Sequence, residues 1–476
     1  MTATTSSIAA RLESLIGAPH NFPDSFDPES YAIDGAVPSA VAKPTSAAEA
    51  AEIIRFAAKE KLTVIPTGAH TKLSIGARPS RYDIALDMCA LHQIAHYDPA
   101  DLTVSVDAGM TIPALNATLL EHGQFLPLLV PYYSQSTVGG TVASGIDSPL
   151  RNAYGTARDF LLGSEFIDGT GALVKSGGRV VKNVSGYDLH KLLIGSLGTL
   201  AIITRLNFRT FPSVIAGSRG FVASFSNPQG ALALLRAILQ SPLTPLTLDI
   251  LSPGLAQIFS EWAPTTPEAP SFSGQEPHTN HAPLPPIGDW FRPGEWQLCT
   301  AFAGAPEVLD RYTRDLTHFA EDSRATATAL LDDATRPAVW GRLREALSML
   351  LVSSPATVVF KISILPSHHA ALLAHLQQIA DHNALPHALI ARAGGTLYFA
   401  LLPASANDAT ATHLAQVATQ ILQSVSAAGG ETNLLFAPPT LKTRDNIWSS
   451  SRSDLPLMRC LKSAFDPQNI FAPGRF

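Results

Sequence analysis

The spacing of hydrophobic and polar residues predicts short helices and strands that alternate along the first part of the chain. A first short helix is indicated by apolar residues that share one face, namely Ile8, Leu12, Leu15 and Ile16. A capping box, Ser46-x-x-Glu49, predicts the start of a second helix, which runs to residue 59. An apolar run over 62–65 then predicts a strand that Pro66 ends. We therefore expect strand, helix, strand and a glycine turn between residues 41 and 68.

Further strands with a helix between them complete the first predicted domain. Strands are expected over 82–88, 102–106 and 205–211, and a helix is expected over 111–122, where Gly123 suits the left-handed residue that ends a helix. Because Pro212 ends the last of these strands, we place a domain boundary there.

The second region combines a periodic part with a long irregular segment. Strands over 358–365 and 397–402 flank a helix over 370–380, and two such units would form a ferredoxin-like α+β layer. The segment 264–293 is rich in Pro with Gly, Ser and His between, so we expect a long surface loop. In chain order the predicted parts are an N-terminal helix and extension (1–30), a first domain (31–212), a second domain (213–452) and a tail that packs back on the first domain (453–476).

Composition excludes several classes of protein. The chain has 476 residues, of which 46% are hydrophobic and 15% charged, as in globular proteins and unlike disordered or fibrous chains. A net charge of −6 gives no electropositive excess for binding nucleic acid. Three Cys residues without a C-x-x-C pair argue against a disulfide scaffold, a Cys-rich zinc site or a self-contained iron–sulfur cluster. With no secretory signal and no long apolar run, we expect a cytoplasmic protein that meets a membrane only through partners.

The first stretch that indicates chemistry is 65–72, Ile-Pro-Thr-Gly-Ala-His-Thr-Lys, at the end of a predicted strand. Its small residues would allow backbone N–H groups to converge on an anion such as a pyrophosphate, and Lys72 adds a cation. An ordinary strand-to-loop turn is the alternative. The stretch matches neither the P-loop nor the Rossmann fingerprint, and Gly169-Thr-Gly171 fits a hairpin turn better than the latter.

Two later stretches share this richness in Gly and hydroxyl residues. Residues 136–145 (STVGGTVASG) would let a large flat ligand approach the main chain, although a tight helix–sheet contact would use the same residues. Residues 181–189 (VKNVSGYDL) and 192–204 interleave glycine and polar positions with an apolar set. This interleaving is unusual for a purely structural segment.

The three stretches, in this order and at this spacing, resemble the FAD-binding domain of the vanillyl-alcohol oxidase and para-cresol methylhydroxylase (PCMH) superfamily, and within it the FAD-binding subunits of bacterial glycolate oxidase. The motifs that carry the resemblance are K-N-V-S-G-Y-D-L-x-x-L-x-x-G-S-x-G-T-L, R-D-F-L-L-G at 158–163, and the closing F-D-P-Q-N-I-F-A-P-G-R. The resemblance covers 41–211 and the last dozen residues and is faint between them.

The resemblance implies an α+β fold, with a two-subdomain PCMH-type FAD-binding domain followed by a ferredoxin-like α+β cap domain. It implies non-covalent FAD as the cofactor; attachment through His70 is the alternative, because some relatives use a His near this loop. The residues that it places on the cofactor are Thr67, Gly68, Ala69, His70, Thr71, Lys72, Pro131, Thr137, Gly139, Gly140, Ser144, Gly145, Gly198 and Ile202.

The chain departs from the family in one respect that concerns catalysis. Hydroxy-acid dehydrogenases of this family carry an H-G-x-G-N-x-H metal motif, which this sequence lacks, so no metal site is expected. A 2-hydroxy acid needs a cation for its carboxylate and a base for its hydroxyl. The catalytic candidates, each of which could equally serve in a salt bridge or in packing, are Arg151, Lys182, Tyr187 and Arg392.

The expected function is oxidation of glycolate or D-lactate to the 2-oxo acid within a glycolate oxidase-like complex. The resemblance implies a second flavoprotein subunit and an iron–sulfur subunit, because this chain has too few Cys residues to pass electrons through its own cluster. Two alternatives stay open. The chain could be an assembly subunit that retains FAD without turnover, or a stand-alone sugar or alcohol oxidase that passes electrons to oxygen.

Overall fold

β-Strands in four sheets organise the computed structural model, which describes residues 8–16, 27–180, 186–214, 217–262, 284–393, 395–443, 447 and 452–476. The strands of the first half are β1 (Ala40–Ala42), β2 (Val64–Thr67), β3 (Ile84–Asp87), β4 (Ile94–Asp98), β5 (Thr103–Asp107), β6 (Gln124–Phe125), β7 (Leu161–Ile167), β8 (Leu173–Gly177), β9 (Ile202–Arg209) and β10 (Phe211–Pro212). Its α-helices are α1 (Ile8–Ile16), α2 (Ala47–Glu60), α3 (Ile112–Leu120), α4 (Val138–Ser144), α5 (Arg151–Tyr154), α6 (Ala157–Phe160) and α7 (Leu189–Leu192).

The first half contains two subdomains with different sheets. A parallel sheet of order β1-β3-β2 packs on α2, as expected when a helix connects parallel strands. An antiparallel sheet of order β4-β5-β9-β7-β8 forms the second subdomain, and β6 pairs with β10 beside it. The two-subdomain arrangement predicted for this half is confirmed.

The second half is built on one large antiparallel sheet. Its strands are β11 (Ser218–Phe225), β12 (Thr247–Leu251), β13 (Trp296–Ala303), β14 (Ala327–Leu331), β15 (Val358–Ser363), β16 (His387–Arg392), β17 (Thr396–Leu401) and β18 (Glu431–Phe436). Its helices are α8 (Pro228–Gln240), α9 (Pro253–Glu261), α10 (Pro306–Asp322), α11 (Arg336–Val352), α12 (His369–His382), α13 (Asp408–Ala427) and α14 (Leu455–Phe465).

The strand order β14-β11-β13-β12-β16-β17-β15-β18 contains two ferredoxin-like units. In each unit the fourth strand lies beside the first, and two helices cross one face of the sheet. The units meet edge to edge where β12 pairs with β16. The predicted ferredoxin-like cap is therefore confirmed, as two units in a single sheet.

Strand alternation gives the cap sheet two buried faces. One face packs against α8, α10, α12 and α13 in a core of its own. The opposite face packs against α9, α11 and the first half of the molecule, and it carries several polar side chains among the apolar ones. These polar side chains are thus buried at the boundary between the two halves.

Most local predictions agree with the structure. Ser46 Oγ accepts a hydrogen bond from Glu49 N over 3.2 Å. The Glu49 carboxylate in turn accepts from Thr45 N rather than from Ser46 N. Gly123 has a φ of 65° after α3. Of the predicted loop 264–293, residues 264–283 lie outside the described residues, and 284–293 contain neither helix nor strand. No strand was predicted at β4, β6, β11 to β14, β16 or β18, and β7 and β8 were implied only by the hairpin turn at 168–169.

Two further properties bear on the expected location of the protein. Among the described residues, no helix combines the length and apolar character needed to cross a membrane. The thiols of Cys89, Cys299 and Cys460 are unpaired.

Candidate functional site

Three stretches that are far apart in the sequence form one groove. The first follows β2 (65–73), the second is α4 with its N-cap (137–144), and the third precedes and enters β9 (195–203). The N–H groups of Gly195 and Leu197 donate to carbonyls of α4 over 2.9 and 2.8 Å, which fixes the third stretch on the second.

Two glycines allow these stretches to approach one another closely. A Cβ on Gly68 would lie 2.4 Å from Thr137 Oγ1, and one on Gly198 would lie 2.3 Å from Pro66 Cγ. Gly198 also has a φ of 68°, in the left-handed region that a side chain disfavours. Larger residues at either position would push the walls of the groove apart.

The groove encloses an empty volume of about 780 Å³ that opens to solvent. The lining residues are Ile65, Pro66, Thr67, Gly68, Ala69, His70, Thr71, Lys72, Leu73, Met88, Ala108, Thr137, Gly139, Gly140, Ala143, Ser144, Leu197, Gly198, Ala201, Ile203 and Arg475.

The loop 68–72 presents hydrogen-bond donors to the groove. Within the described part of the chain, the backbone N–H groups of these five residues donate to no protein acceptor. Unpaired N–H groups beside a cavity are suited to an anionic ligand. The loop therefore fits a phosphate-containing cofactor.

Lys72 adds a cation whose charge is sensitive to its surroundings. Its Nζ donates to Ser136 Oγ over 2.6 Å and to Thr71 Oγ1 over 3.0 Å, and neither acceptor is charged. Burial lowers the pKa of Lys72 to about 7, while the carboxylate of Glu345 opposes this shift. A bound anion would favour the charged ammonium.

Glu345 connects the cap to the wall of the groove. It lies on α11 with no solvent exposure, and it accepts hydrogen bonds from Tyr132 N over 2.7 Å and Tyr133 N over 3.3 Å. Ser348 Oγ and Arg344 Nε donate to the same carboxylate over 2.9 and 3.0 Å. The residues that precede Ser136 and Thr137 are thus held from the opposite half of the molecule.

His70 is held tightly in the loop. Its backbone adopts a left-handed φ of 59°, and its ring packs edge-on against Tyr31 at a centroid distance of 4.3 Å. Burial lowers the pKa of His70, although Asp87 opposes the shift, so the imidazole is neutral at physiological pH. Its Nε2 is buried and has no hydrogen-bond partner among the described residues.

A second polar site lies beside the groove, centred on Asp147. Lys361 Nζ on β15 donates to Asp147 Oδ2 and to the carbonyl of Gly145, each over 3.1 Å. Arg151 Nη1 and Tyr398 Oη also donate to Asp147 Oδ2, over 2.9 and 3.1 Å. Burial opposes ionisation, but Lys361 and Arg151 outweigh it and lower the pKa of Asp147.

Asp249 and Arg392 extend this site across the cap sheet. They pair in register between β12 and β16, and Arg392 Nη1 lies 3.3 Å from Asp249 Oδ1. Asp249 Oδ2 and Arg392 Nε are buried, and neither has a partner in the described residues. Burial raises the pKa of Asp249 to about 6, against the effect of Arg392. We call Asp147, Arg151, Asp249, Lys361, Arg392 and Tyr398 the interdomain cluster.

Most residues predicted to contact the cofactor lie in the groove. Those in its lining are Thr67, Gly68, Ala69, His70, Thr71, Lys72, Thr137, Gly139, Gly140, Ser144 and Gly198. Three predicted residues are not part of the lining: Pro131, whose carbonyl accepts from Ser136 Oγ; Gly145, the C-cap of α4; and Ile202, which is fully buried in β9.

The four catalytic candidates separate into different regions. Arg151 and Arg392 both belong to the interdomain cluster. Tyr187 is 88% exposed and is not in the groove lining, because its segment lies on the surface beside α7. Lys182 lies outside the described residues.

Sequence analysis missed several residues that the structure brings to these sites, among them Asp147 and Tyr398 of the interdomain cluster. Lys361, Asp249 and Glu345 come from segments that are distant in the sequence from the groove, and the strand periodicity of β12 and β15 gave no sign of their partners. Arg475 was visible in the closing F-A-P-G-R motif, but its position in the groove depends on how the tail folds back.

The described residues contain no group of three or more His, Cys, Asp or Glu side chains arranged to hold a metal ion. His369, on α12, is buried, and burial lowers its pKa. His375 lies 3.1 Å from Ser424 Oγ on the surface.

Comparison with known protein families covers both halves. Residues 38–177 match the family described as FAD binding domain, and residues 218–476 match FAD linked oxidases, C-terminal domain. The chain belongs to the FAD-linked oxidase family. It is an FAD-dependent oxidoreductase.

Individual relatives of this FAD-linked oxidase have divergent sequences. It is 23% identical over 473 residues to glycolate oxidase subunit GlcD of Bacillus subtilis, covering 97% of this chain and 94% of the relative. It is 36% identical over 162 residues to glycolate oxidase subunit GlcE of Escherichia coli, which is 34% of this chain and 46% of that protein. The solved structure of p-cresol methylhydroxylase aligns with a TM-score of 0.73 at 17% identity, over 92% of this chain and 89% of that one.

The residues in the groove of this FAD-linked oxidase fit the dinucleotide. Among the described residues, the N–H groups of 68–72 and two guanidinium nitrogens of Arg475 have no hydrogen-bond partner. Together with Lys72 they are suited to bind the phosphates. The close packing of small residues on α4 leaves main chain accessible to a flat ring system.

Proposed function

We propose that this FAD-linked oxidase oxidises a small 2-hydroxy acid, glycolate or D-lactate, to the 2-oxo acid. The substrate loses a hydride from C2 and releases the proton of its hydroxyl group to solvent. Bound FAD accepts the hydride. The observation that carries the proposal is the surplus positive charge of the interdomain cluster.

The charges of this cluster do not balance without an anion. Arg151, Lys361 and Arg392 supply three cations, whereas Asp147 and Asp249 supply at most two carboxylates. Unpaired buried charge is costly, and a carboxylate ligand that accepts hydrogen bonds from Arg or Lys relieves it. One carboxylate of a 2-hydroxy acid would complete the set.

The position of the cluster suits a substrate that reacts at the cofactor. Lys361 bonds to the carbonyl of Gly145, and the preceding residue, Ser144, lines the FAD groove. Asp147 Oδ2 accepts hydrogen bonds from Lys361, Arg151 and Tyr398. This shared acceptor holds the ammonium and guanidinium groups in place. In this proposal Arg392, Lys361 and Arg151 orient the substrate carboxylate while C2 is directed towards the groove.

Reduction of bound flavin tests the proposal directly. FAD-loaded protein mixed anaerobically with glycolate or D-lactate should lose its flavin absorbance. Arg392→Met and Lys361→Met should each raise the substrate concentration needed for half-maximal reduction by at least about tenfold, the cost of one charged hydrogen bond. The matched control is Arg219→Met. Arg219 lies on the same sheet, and the substitution removes its exposed ion pair with Asp310 on α10. Equal responses of all three variants would refute the substrate site.

We also propose that FAD is held non-covalently and that electrons leave through partner subunits. The names of the glycolate oxidase relatives support a multisubunit enzyme. In this proposal a second flavoprotein subunit and an iron–sulfur subunit accept the electrons, and any membrane contact is made by these partners. Acid precipitation should release the flavin into solution, and co-purification from the native host should recover the partners.

A second candidate function is an assembly subunit that keeps FAD without its own turnover. It is favoured by the higher identity to the GlcE subunit over a limited part of the chain. Flavin reduction by substrate in the isolated chain would exclude it. Reduction only after the partner subunits are added would favour it.

A further inference from the structure

We propose that Arg475, the penultimate residue of the chain, binds the diphosphate of FAD, so that the C-terminal tail forms one side of the cofactor site. The inference concerns the cofactor and holds for any substrate. It begins from the tail, which folds back over 393 residues in sequence to reach the loop after β2.

The guanidinium of Arg475 is buried but incompletely bonded. The residue is 2% exposed, and its Nη2 donates to the carbonyls of Leu73, over 2.7 Å, and Ile75. Its Nε and Nη1 are buried without a hydrogen-bond partner among the described residues. Arg475 also lines the FAD groove. A ligand in the groove is therefore the natural acceptor for the remaining N–H groups.

A second cation, Lys442, lies close enough to Arg475 for the two positive charges to interact. Lys442 Nζ donates to both carboxylate oxygens of Asp34, over 2.8 and 3.0 Å, and to the carbonyl of Ser74. The carboxylate of Asp34 is thus already bonded to Lys442, apart from any interaction with Arg475. The buried hydroxyl of Tyr82 has no partner in the described residues either. Asp34 interacts with both Lys442 and Arg475, and a bound phosphate would add negative charge beside these two cations.

The diphosphate is the group that this position selects. Arg475 Nη2 donates to the carbonyl of Leu73, directly after the loop 68–72. This loop lines the groove, and its N–H groups have no acceptor among the described residues. Guanidinium N–H groups form paired hydrogen bonds to phosphate oxygens with good geometry. Loop and tail would then contact the same part of the dinucleotide from two sides.

The tail is held firmly enough to position this side chain. Phe471 pairs with Val64 at the start of β2, and the N–H groups of Ile470 and Phe471 donate to Asp466 over 3.0 and 2.7 Å. Lys462 Nζ donates to the carbonyls of Phe471 and Thr199 over 2.9 and 2.7 Å. Cofactor binding should therefore be coupled to docking of the last residues.

Binding measurements on the full-length apoprotein test the proposal. Arg475→Gln should weaken FAD binding, followed by flavin fluorescence, by at least about tenfold. Arg475→Lys, which keeps the charge, should lose less. Arg459→Gln, an exposed position on α14 in the same tail, is the control and should bind FAD as the unmodified chain does. Unchanged affinity of Arg475→Gln would overturn the proposal.

Competition with ADP-ribose identifies the part of FAD that is recognised. ADP-ribose carries the diphosphate without the flavin, so its affinity should fall with that of FAD in Arg475→Gln. If FAD binding weakened while ADP-ribose binding did not, the assignment to the diphosphate would be wrong.

Hydrogen–deuterium exchange of the unmodified protein keeps the test independent of folding defects in a variant. ADP-ribose should slow exchange in the C-terminal peptide, residues 466–476, and riboflavin, which has no phosphate, should not. Equal exchange of this peptide with and without ADP-ribose would contradict coupling between the tail and the cofactor.

Discussion

The carboxylate of Glu345, on helix α11 of the cap, accepts a 2.7 Å hydrogen bond from the backbone N–H of Tyr132 in the FAD-binding half. This bond joins the two halves of the oxidase directly beside the cofactor groove. The same carboxylate is the charged group that opposes the loss of a proton from Lys72.

Glu345→Gln should destabilise the apoprotein and loosen the groove. The amide keeps the size of the side chain, but its N–H₂ group replaces one of the two oxygens that accept from backbone N–H groups. The lost acceptor should cost about 1–3 kcal/mol of stability. Chemical denaturation of the apoprotein measures this loss. Glu307→Gln, at an exposed position on α10, is the control and should leave stability unchanged. Equal stability of the two variants would contradict the role assigned to Glu345.

FAD binding should weaken as pH rises above neutrality. The pKa of Lys72 is lowered to about 7 in the unliganded protein, and a bound diphosphate raises it, so binding above this pH requires uptake of a proton. Affinity should be level below about pH 7 and fall by about tenfold per pH unit above it. Lys72→Arg, which stays charged, should give a level profile over the same range. A level profile in the unmodified protein would rule out this linkage.

Gly198→Ala should disrupt the groove more than its backbone conformation alone explains. A Cβ there meets Pro66 Cγ at 2.3 Å, so the third stretch must move away from β2. We expect a loss of roughly 2–4 kcal/mol in stability, from steric overlap and left-handed strain together, and weak FAD binding. Gly429→Ala isolates the strain, since Gly429 has a φ of 72° with nothing within 4 Å of its Cβ. This control should lose about 1 kcal/mol and bind FAD normally.

Substrate affinity should rise as pH falls through the pKa of Asp249. Burial raises that pKa to about 6, so protonation between pH 7 and pH 5 removes one negative charge and increases the positive surplus of the interdomain cluster. A carboxylate substrate should then bind several times more tightly, an order-of-magnitude expectation from roughly one charge interaction. Asp249→Asn should show the tighter binding at both pH values, measured by flavin reduction. An unchanged pH profile in this variant would separate Asp249 from substrate binding.

Local features of the fold could be predicted from the sequence because they depend on neighbouring residues. The hydrogen bond from Glu49 N to Ser46 Oγ and the left-handed turn at Gly123 follow from a few adjacent positions. Gly68 and Gly198 could be selected because close main-chain packing requires glycine. The groove could thus be anticipated, with most of its lining.

The interdomain cluster was harder to predict because most of its side chains are paired with residues distant in the sequence. Arg151 and Arg392 could be proposed from the chemistry. Their distant partners could not, because Thr396, which accepts from Arg151, is placed by domain contact and Asp249, which pairs with Arg392, by strand register. The motif of Tyr187 suggested proximity to flavin, whereas its side chain is 88% exposed in the structure. Whether a side chain faces solvent or a neighbouring domain cannot be read from a motif alone.

The junction of β12 and β16 has a consequence for how the cap can move. Asp249 lies on one ferredoxin-like unit and Arg392 on the other, opposite each other at this junction. A slip of one residue between the strands would turn Arg392 towards the helix-covered face and disrupt the interdomain cluster. Any movement of the cap relative to the FAD-binding half must therefore carry both units together if this pair is to stay intact.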